Sequence, residues 1–411
     1  MTRNPLSDLH LTATHKAYRS GTHRAVDPAE TIRRVQSVAA RLGITRVANV
    51  TGLDYVGSPV FTAVRPNARS LAISLGKGVT KAAAYASALM EAVEVAHAED
   101  ARLPIQWASR HEMYGSAVVI DTTKLPLHLN HEPYSDDVRM AWTEGYDLLQ
   151  KCSSWVPDHS VTLDFVGSQQ RLFVRSSNGL ASGNTLAEAA VHGLCELLER
   201  DARALWLADP HSGEQPERRL DLQGVDDVHC RQVLDRIDRA RLMTAAYDIT
   251  TDSGVPAFSA IVSERPGAMR PIGPQWGHGC HPDPAVALSR ALTESLQARL
   301  GHINGARDDV TPEYYAASTS QESLRDLEEI LLASESRGRL SERPSLSTDT
   351  IEGDLEALLD RCLAIGVESV VVVDLTREDI GVPVVKMIAT TLESIPAVAV
   401  PGPRARRLGE G

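Results

Sequence analysis

NGLASGNTLAEAAVHGLCELLERDA, residues 178–202, has a glycine-rich opening followed by an alanine- and leucine-rich run that carries Glu188, Glu196 and Glu199. The spacing of its second half recurs twice elsewhere in the chain. Laid over Thr185 to Glu199, the stretches Thr80 to Glu94 and Asp283 to Gln297 align Ala84, Ala189 and Ala287, then Leu89, Leu194 and Leu292. The same overlay aligns Glu91, Glu196 and Glu294, and finally Glu94, Glu199 and Gln297. A glycine pair precedes each copy: Gly76 and Gly78, Gly179 and Gly183, Gly277 and Gly279. A loop-then-helix unit used three times, with acids at matched offsets, predicts three such units around one shared site.

On a helix turning about 100° per residue, Ser87, Glu91 and Glu94 fall within roughly 60° of one another. Glu188 and Glu199 lie about 20° apart on the second helix, and Arg290, Glu294 and Gln297 form an i, i+4, i+7 stripe on the third. The other positions are largely Ala, Leu, Val and Met, so these helices should pack in the interior. Buried carboxylates must then take up protons or meet a cation. A single ExxE on a helix is usually a solvated face; three copies in register point to a shared cation. An all-oxygen donor set suits magnesium, which binds through carboxylates together with substrate phosphates.

The glycine segments extend this reading to a nucleotide. A helix N-terminus after glycine offers N–H groups and a positive dipole end to an anion. Gly76, Lys77 and Gly78 suit phosphate, although Lys77 could equally be a solvated turn residue. Asn184 sits where a side chain can cap the second helix. No GxxxxGK[ST] occurs, which excludes a P-loop. His278, Cys280 and His281 could be offered as zinc ligands, but adjacent residues point apart and a loop-structural role is expected.

With 411 residues and 43% hydrophobic content the chain can build a large core, and the interval of about 100 residues between repeats suggests one compact fold. A net charge of −12 argues against nucleic-acid and membrane-surface partners. Five scattered cysteines with no CxxC indicate neither a disulfide framework nor a zinc ribbon. No apolar run reaches the length of a membrane span, and a cytoplasmic protein is expected.

Hydrophobic periodicity and turn signals predict helices at 28–42, 228–240, 323–333 and 355–365 besides the three repeats. Strands are expected at 44–50, 60–64, 70–74, 117–120, 140–147, 160–165, 173–175, 243–248, 257–263, 369–374 and 384–388. Strands and helices alternate irregularly, so the predicted class is α+β with mixed or antiparallel sheets. Residues 304–350 are charged and serine-rich and read as a flexible insertion.

SALMEAVE (87–94), the 178–202 stretch and RALTE (290–294) resemble the YcaO family, enzymes that use ATP to activate a peptide backbone amide. The resemblance runs from about Lys16 to Glu393. It implies a basic segment at 1–26 ahead of a single catalytic domain at 27–411 with a Pro/Arg-rich tail, and ATP and Mg2+ as cofactors. Carried over by position, Ser87, Asn184, Arg200 and Arg290 would contact nucleotide, with Lys16 and Lys77 as further phosphate contacts. Glu91, Glu94, Glu188, Glu196, Glu199 and Glu294 would hold magnesium, and Arg200 and Arg290 would stabilise charge during phosphoryl transfer.

KAYRSGTHR, GITRVANVTGLDYVGSPV and RPNARSLAISLGKG resemble the TfuA-associated branch, which includes thioamide-forming enzymes; stand-alone members of bottromycin-type pathways are the other candidates. The PxPxP tail typical of azoline-forming relatives is absent in form. The implied reaction is O-phosphorylation of a backbone amide in a ribosomally made peptide, followed by attack of a nucleophile. Sulfide would give a thioamide, a side chain an azoline, an amine an amidine or macroamidine. A partner-dependent nucleotide-binding scaffold is the reading from a different class. The implied partners are the precursor peptide, a TfuA-like or other recognition protein, and a second copy in a homodimer.

Overall fold

The computed structural model describes residues 5–9, 13–166, 172–269, 271–307, 310–313, 315, 320–333 and 335–409. Its helices are α1 (Pro28–Gln36), α2 (Lys81–Glu99), α3 (Arg110–Met113), α4 (Leu186–Ala208), α5 (Val228–Arg239), α6 (Pro284–Asn304), α7 (Gln321–Ala333), α8 (Ile351–Ala364) and α9 (Pro403–Gly409). The strands are β1 (Arg46–Asn49), β2 (Val60–Val64), β3 (Ile73–Lys77), β4 (Ile105–Ser109), β5 (Arg139–Asp147), β6 (Cys152–Pro157), β7 (Leu180–Ser182), β8 (Met243–Asp248), β9 (Ala257–Ser263), β10 (Gln275–Cys280), β11 (Val370–Asp374) and β12 (Val384–Ala389). They form a β1-β2-β3 sheet, a β10-β9-β8 sheet, and a larger one ordered β4-β5-β11-β12-β7 with β6 paired to β5. Every named pairing is antiparallel. The expected α+β class with antiparallel sheets is therefore observed.

Thr80, Thr185 and Asp283, equivalent in the repeats, are the N-caps of α2, α4 and α6, and each side chain accepts a first-turn N–H. In each unit a strand leads into the helix, which folds back onto that strand: α2 on β3, α4 on β7, α6 on β10. Each helix also touches the strand of the next unit in cyclic order, α2 on β7, α4 on β10 and α6 on β3. This cyclic packing turns three sequence-distant helices toward one centre.

The repeated small and large residues explain how. Ala84, Ala189 and Ala287 are fully buried, and Leu89, Leu194 and Leu292 are at most 1% exposed. Each buried leucine stabilises the fold by about 1.5–3 kcal/mol. Three of the six glycines lie in strands and not in loops: Gly76 in β3, and Gly277 and Gly279 in β10. They allow backbone to lie against backbone. A β-carbon on Gly76 would sit 2.3 Å from the Ala84 oxygen and 2.0 Å from the Ala88 nitrogen; one on Gly279 would sit 2.2 Å from the Ala287 oxygen and 2.7 Å from the Ala291 nitrogen.

Several predicted elements shift. The first helix ends at Gln36 and continues as a 3-10 turn at Ala39–Leu42. The strand expected at 70–74 is β3, three residues later, and α8 starts at Ile351 rather than 355. Segments 117–120 and 173–175 make single bridges, Val119 to Trp155 and Leu127 to Phe173. Segment 160–165 is irregular, and the strand beside it is β6, which the sequence reading missed. No helix among the described residues is long and apolar enough to cross a membrane.

Candidate functional site

Where α2, α4 and α6 converge, a cavity of about 1100 Å³ opens. It is lined by Ser87, Glu91 and Glu94 from α2, by Glu188, Glu196, Glu199 and Arg200 from α4, and by Arg290 and Glu294 from α6; Lys77 and Asn184 also line it. All but one of the predicted site residues are thus brought together. The exception is Lys16, which is buried away from the cavity: its Nζ lies 2.6 Å from Asp354 Oδ2 and 2.8 Å from Ser347 Oγ. Its position reflects a structural ion pair with α8, formed because a fully buried ammonium needs a carboxylate partner.

The carboxylates fall into two groups. Four already have a cationic side chain within 4 Å. Arg200 reaches Glu196 at 3.2 Å and Glu199 at 3.0 Å, and Lys77 is paired with Glu294, which also accepts from the His278 N–H at 3.2 Å. Glu188 accepts from Asn184 Nδ2 at 3.0 Å and the Ala25 N–H at 2.8 Å, with Arg24 Nε 3.7 Å away. Asn184 therefore orients Glu188, while the helix cap is Thr185.

Glu91 and Glu94 differ. Glu94 Oε1 accepts from the Ser182 N–H at 2.8 Å and its hydroxyl at 2.7 Å, and neither glutamate has an ion pair among the described residues. Burial pushes Glu91 up to about 7 and Glu94 up to about 8. Burial likewise raises Glu199, despite Arg200. Glu294 goes the other way: although burial opposes it, Lys77, Arg200 and His278 hold it down to about 2.

The chemistry of the site fits a magnesium–triphosphate. Glu91 and Glu94 form an oxygen donor pair whose ionised state has no ion-pair partner among the described residues, a role that a divalent cation would fill. Arg200 Nε and Arg290 Nε are buried without a hydrogen-bond partner among the described residues, as anion-seeking groups would be. Both halves of the ligand thus have waiting partners.

The sequence reading missed Arg24, His192 and Arg203, which also line the cavity, and His278, expected in a structural loop, lies in β10 and lines it too. Arg24 belongs to the cationic KAYRSGTHR segment, a signal that could have flagged it. Arg203 follows Arg200 by three residues and so shares its helix face. Lys81, one turn from the glycines, is exposed and takes no part.

The YcaO family model, described as a cyclodehydratase that binds ATP and Mg2+, matches residues 75–393. An uncharacterised protein in the tfuA 3' region of Rhizobium leguminosarum bv. trifolii is 38% identical over 378 residues, 90% of this chain and 88% of that one. An uncharacterised Methanothermobacter thermautotrophicus protein is 34% identical over 380 residues, 90% of this chain and 95% of that one. Among solved structures, YcaO from Methanopyrus kandleri bound with AMPPCP and Mg2+ superposes with a TM-score of 0.73 at 24% identity, covering 94% of this chain and 98% of that chain. A heterocyclase in complex with substrate and cofactor gives a TM-score of 0.75 at 22% identity over 93% of this chain, which spans only 54% of that heterocyclase. These two likenesses carry the fold, and the family match carries the rest: the chain belongs to the YcaO family, with ATP and Mg2+ as its cofactors.

Proposed function

We propose that this protein activates a backbone amide of a ribosomally made peptide with ATP and exchanges its oxygen for sulfur, giving a thioamide. The observation that carries the amide-activating part is the convergence of acids and arginines from three repeat-related helices on one cavity. The relative named for the tfuA region supports the thioamide branch.

In this reading Glu91, Glu94, Glu188, Glu196, Glu199 and Glu294 hold magnesium, and Ser87, Lys77, Asn184, Arg200 and Arg290 contact the nucleotide. Bound Mg2+ and ATP supply the γ-phosphoryl group and the charge neutralisation that make the amide oxygen a leaving group. Arg200 and Arg290 hold fixed positive charge where negative charge develops. Asn184 keeps Glu188 oriented, and Ser182 does the same for Glu94. Lys16 has no part in this reading, because its ammonium is committed to Asp354. Hydrosulfide forms the new carbon–sulfur bond, the carbon–oxygen bond breaks, and the oxygen and the hydrosulfide proton leave in inorganic phosphate. A TfuA-like protein is the proposed partner and a homodimer the proposed assembly, in the cytoplasm.

The test is mass spectrometry of a candidate precursor peptide after incubation with protein, ATP, Mg2+ and sodium hydrosulfide. A gain equal to oxygen-to-sulfur exchange, dependent on ATP, is expected. Loss of water instead would overturn the thioamide reading in favour of azoline or amidine formation, and no ATP consumption with any peptide would favour a scaffold.

A further inference from the structure

Beside the nucleotide cavity lies a second, enclosed cavity of about 10 Å³, room for about one water-sized species. Its polar lining comprises Arg24, His192, His281 and Arg290, the thiols of Cys195 and Cys280, His23, and the carboxylates of Glu188 and Asp354; Arg24, Glu188, His192 and Arg290 also line the larger cavity. The second cavity therefore adjoins the place where chemistry is proposed, separated from it by these shared side chains.

His281 also belongs to a buried trio with His23 and Asp354, whose ligand-type atoms all lie within 4.8 Å of one another. Two histidines and a carboxylate is the composition of a transition-metal site. Two contacts argue against metal here. Asp354 is already occupied, Oδ2 by Lys16 Nζ at 2.6 Å and Oδ1 by the Thr348 N–H at 2.7 Å. His281 Nδ1 accepts the Asp283 N–H at 2.9 Å, so the neutral ring keeps its proton on Nε2. A ring nitrogen bearing a proton donates; it cannot ligate.

The guanidiniums of the lining donate. His192 Nε2 faces an Arg290 guanidinium N–H at 3.3 Å, and Arg290 Nε is buried without a partner among the described residues. Arg24 contributes a second guanidinium, and the acceptor at the rim, Glu188, is held by Asn184 and Ala25. The two carboxylates of the lining, Glu188 and Asp354, are thus engaged with other donors, and two guanidiniums and the His281 N–H remain to meet an anion. Cys195 and Cys280 add two buried thiols, weak donors with polarisable sulfur that suit a large, weakly hydrated anion better than a small hard one.

We propose that this cavity is the nucleophile site and that it binds hydrosulfide between Arg24, Arg290 and His281. The proposal rests on the thioamide reading above. Its test is chloride NMR line broadening by the full chain saturated with Mg2+ and a non-hydrolysable ATP analogue, which blocks anion sites in the large cavity, with sodium hydrosulfide as competitor. Hydrosulfide should remove the remaining broadening. In His281→Leu the affinity for hydrosulfide should fall by about tenfold or more, the loss of one hydrogen bond to a charged group, while affinity for the ATP analogue stays unchanged. His281→Gln keeps an N–H donor and should bind as the wild type does, so it decides the matter if the leucine variant does not fold. The proposal is overturned if no broadening is competed by hydrosulfide, or if His281→Leu competes like the wild type. If the analogue itself does not bind, the nucleotide reading fails separately, and the competition run without nucleotide still decides the cavity.

Discussion

Arg200→Met removes the cation that holds two of the site's carboxylates together, and its consequence can be sized from the contacts. The guanidinium lies 3.2 Å from Glu196 and 3.0 Å from Glu199, and the Glu199 side chain is only 3% exposed. Breaking a buried pair by removing one partner costs about 3–5 kcal/mol, because the other charge is left unmatched. Arg200 and Glu196 are each 19% exposed, so water recovers part of that. A loss of about 2–4 kcal/mol is expected in urea unfolding without metal. Methionine keeps most of the apolar volume, so the loss reports charge rather than packing. Saturating Mg2+ binds the carboxylates and should stabilise the variant more than the wild type, narrowing the gap between their midpoints. Equal midpoints in metal-free buffer, or a gap that Mg2+ leaves unchanged, would refute the charge-compensation argument.

Gly76→Ala should lose at least about 3 kcal/mol, the upper end of overpacking costs, because its new carbon would meet the α2 main chain at 2.0 Å. A thermal midpoint equal to wild type would show that strand and helix can separate freely. Lys16→Met should destabilise the fold by about 3–5 kcal/mol by leaving Asp354 buried and unmatched, yet leave affinity for the ATP analogue unchanged; weakened nucleotide binding in a folded variant would return Lys16 to the phosphate site. His97, fully buried, has its imidazole pushed down from 6.5 to about 4 by burial. Both folded and unfolded rings are neutral above pH 6.5, so the cost is absent there; below it the unfolded ring takes up a proton first, and stability falls until about pH 4. The full loss is about 3 kcal/mol. Chemical unfolding of His97→Gln should show a shallower decline over that window, and parallel curves would contradict the assignment.

What the sequence made legible was periodic. The three helices and the shared carboxylate face follow from spacing alone, since a matched offset on equivalent helices forces matched geometry; the cap of the second did not, since Thr185 and not Asn184 supplies it. The strands at 60–64, 243–248 and 257–263 agree with the structure to the residue because continuous apolar runs end at clear turn signals. Gly76, Gly277 and Gly279 misled. A glycine before a helix looks the same whether it frees a loop for phosphate or allows a strand to touch a helix backbone, and only the neighbour at Ala84 or Ala287 tells the two apart. Lys16 misled for a related reason: its partner Asp354 lies more than three hundred residues away, beyond any local pattern. The donor polarity of the small cavity was likewise invisible, because it depends on which nitrogen of His281 faces the Asp283 N–H.

The account rests on carboxylates of three helices holding Mg2+ against a triphosphate. Calorimetric titration of a non-hydrolysable ATP analogue, with and without Mg2+, into the wild type and the Glu91→Gln/Glu94→Gln variant tests that most directly. Mg2+-dependent binding to the wild type is expected, weakened by about tenfold or more in the variant together with most of its Mg2+ dependence. Binding of equal strength and equal Mg2+ dependence in both proteins would contradict it.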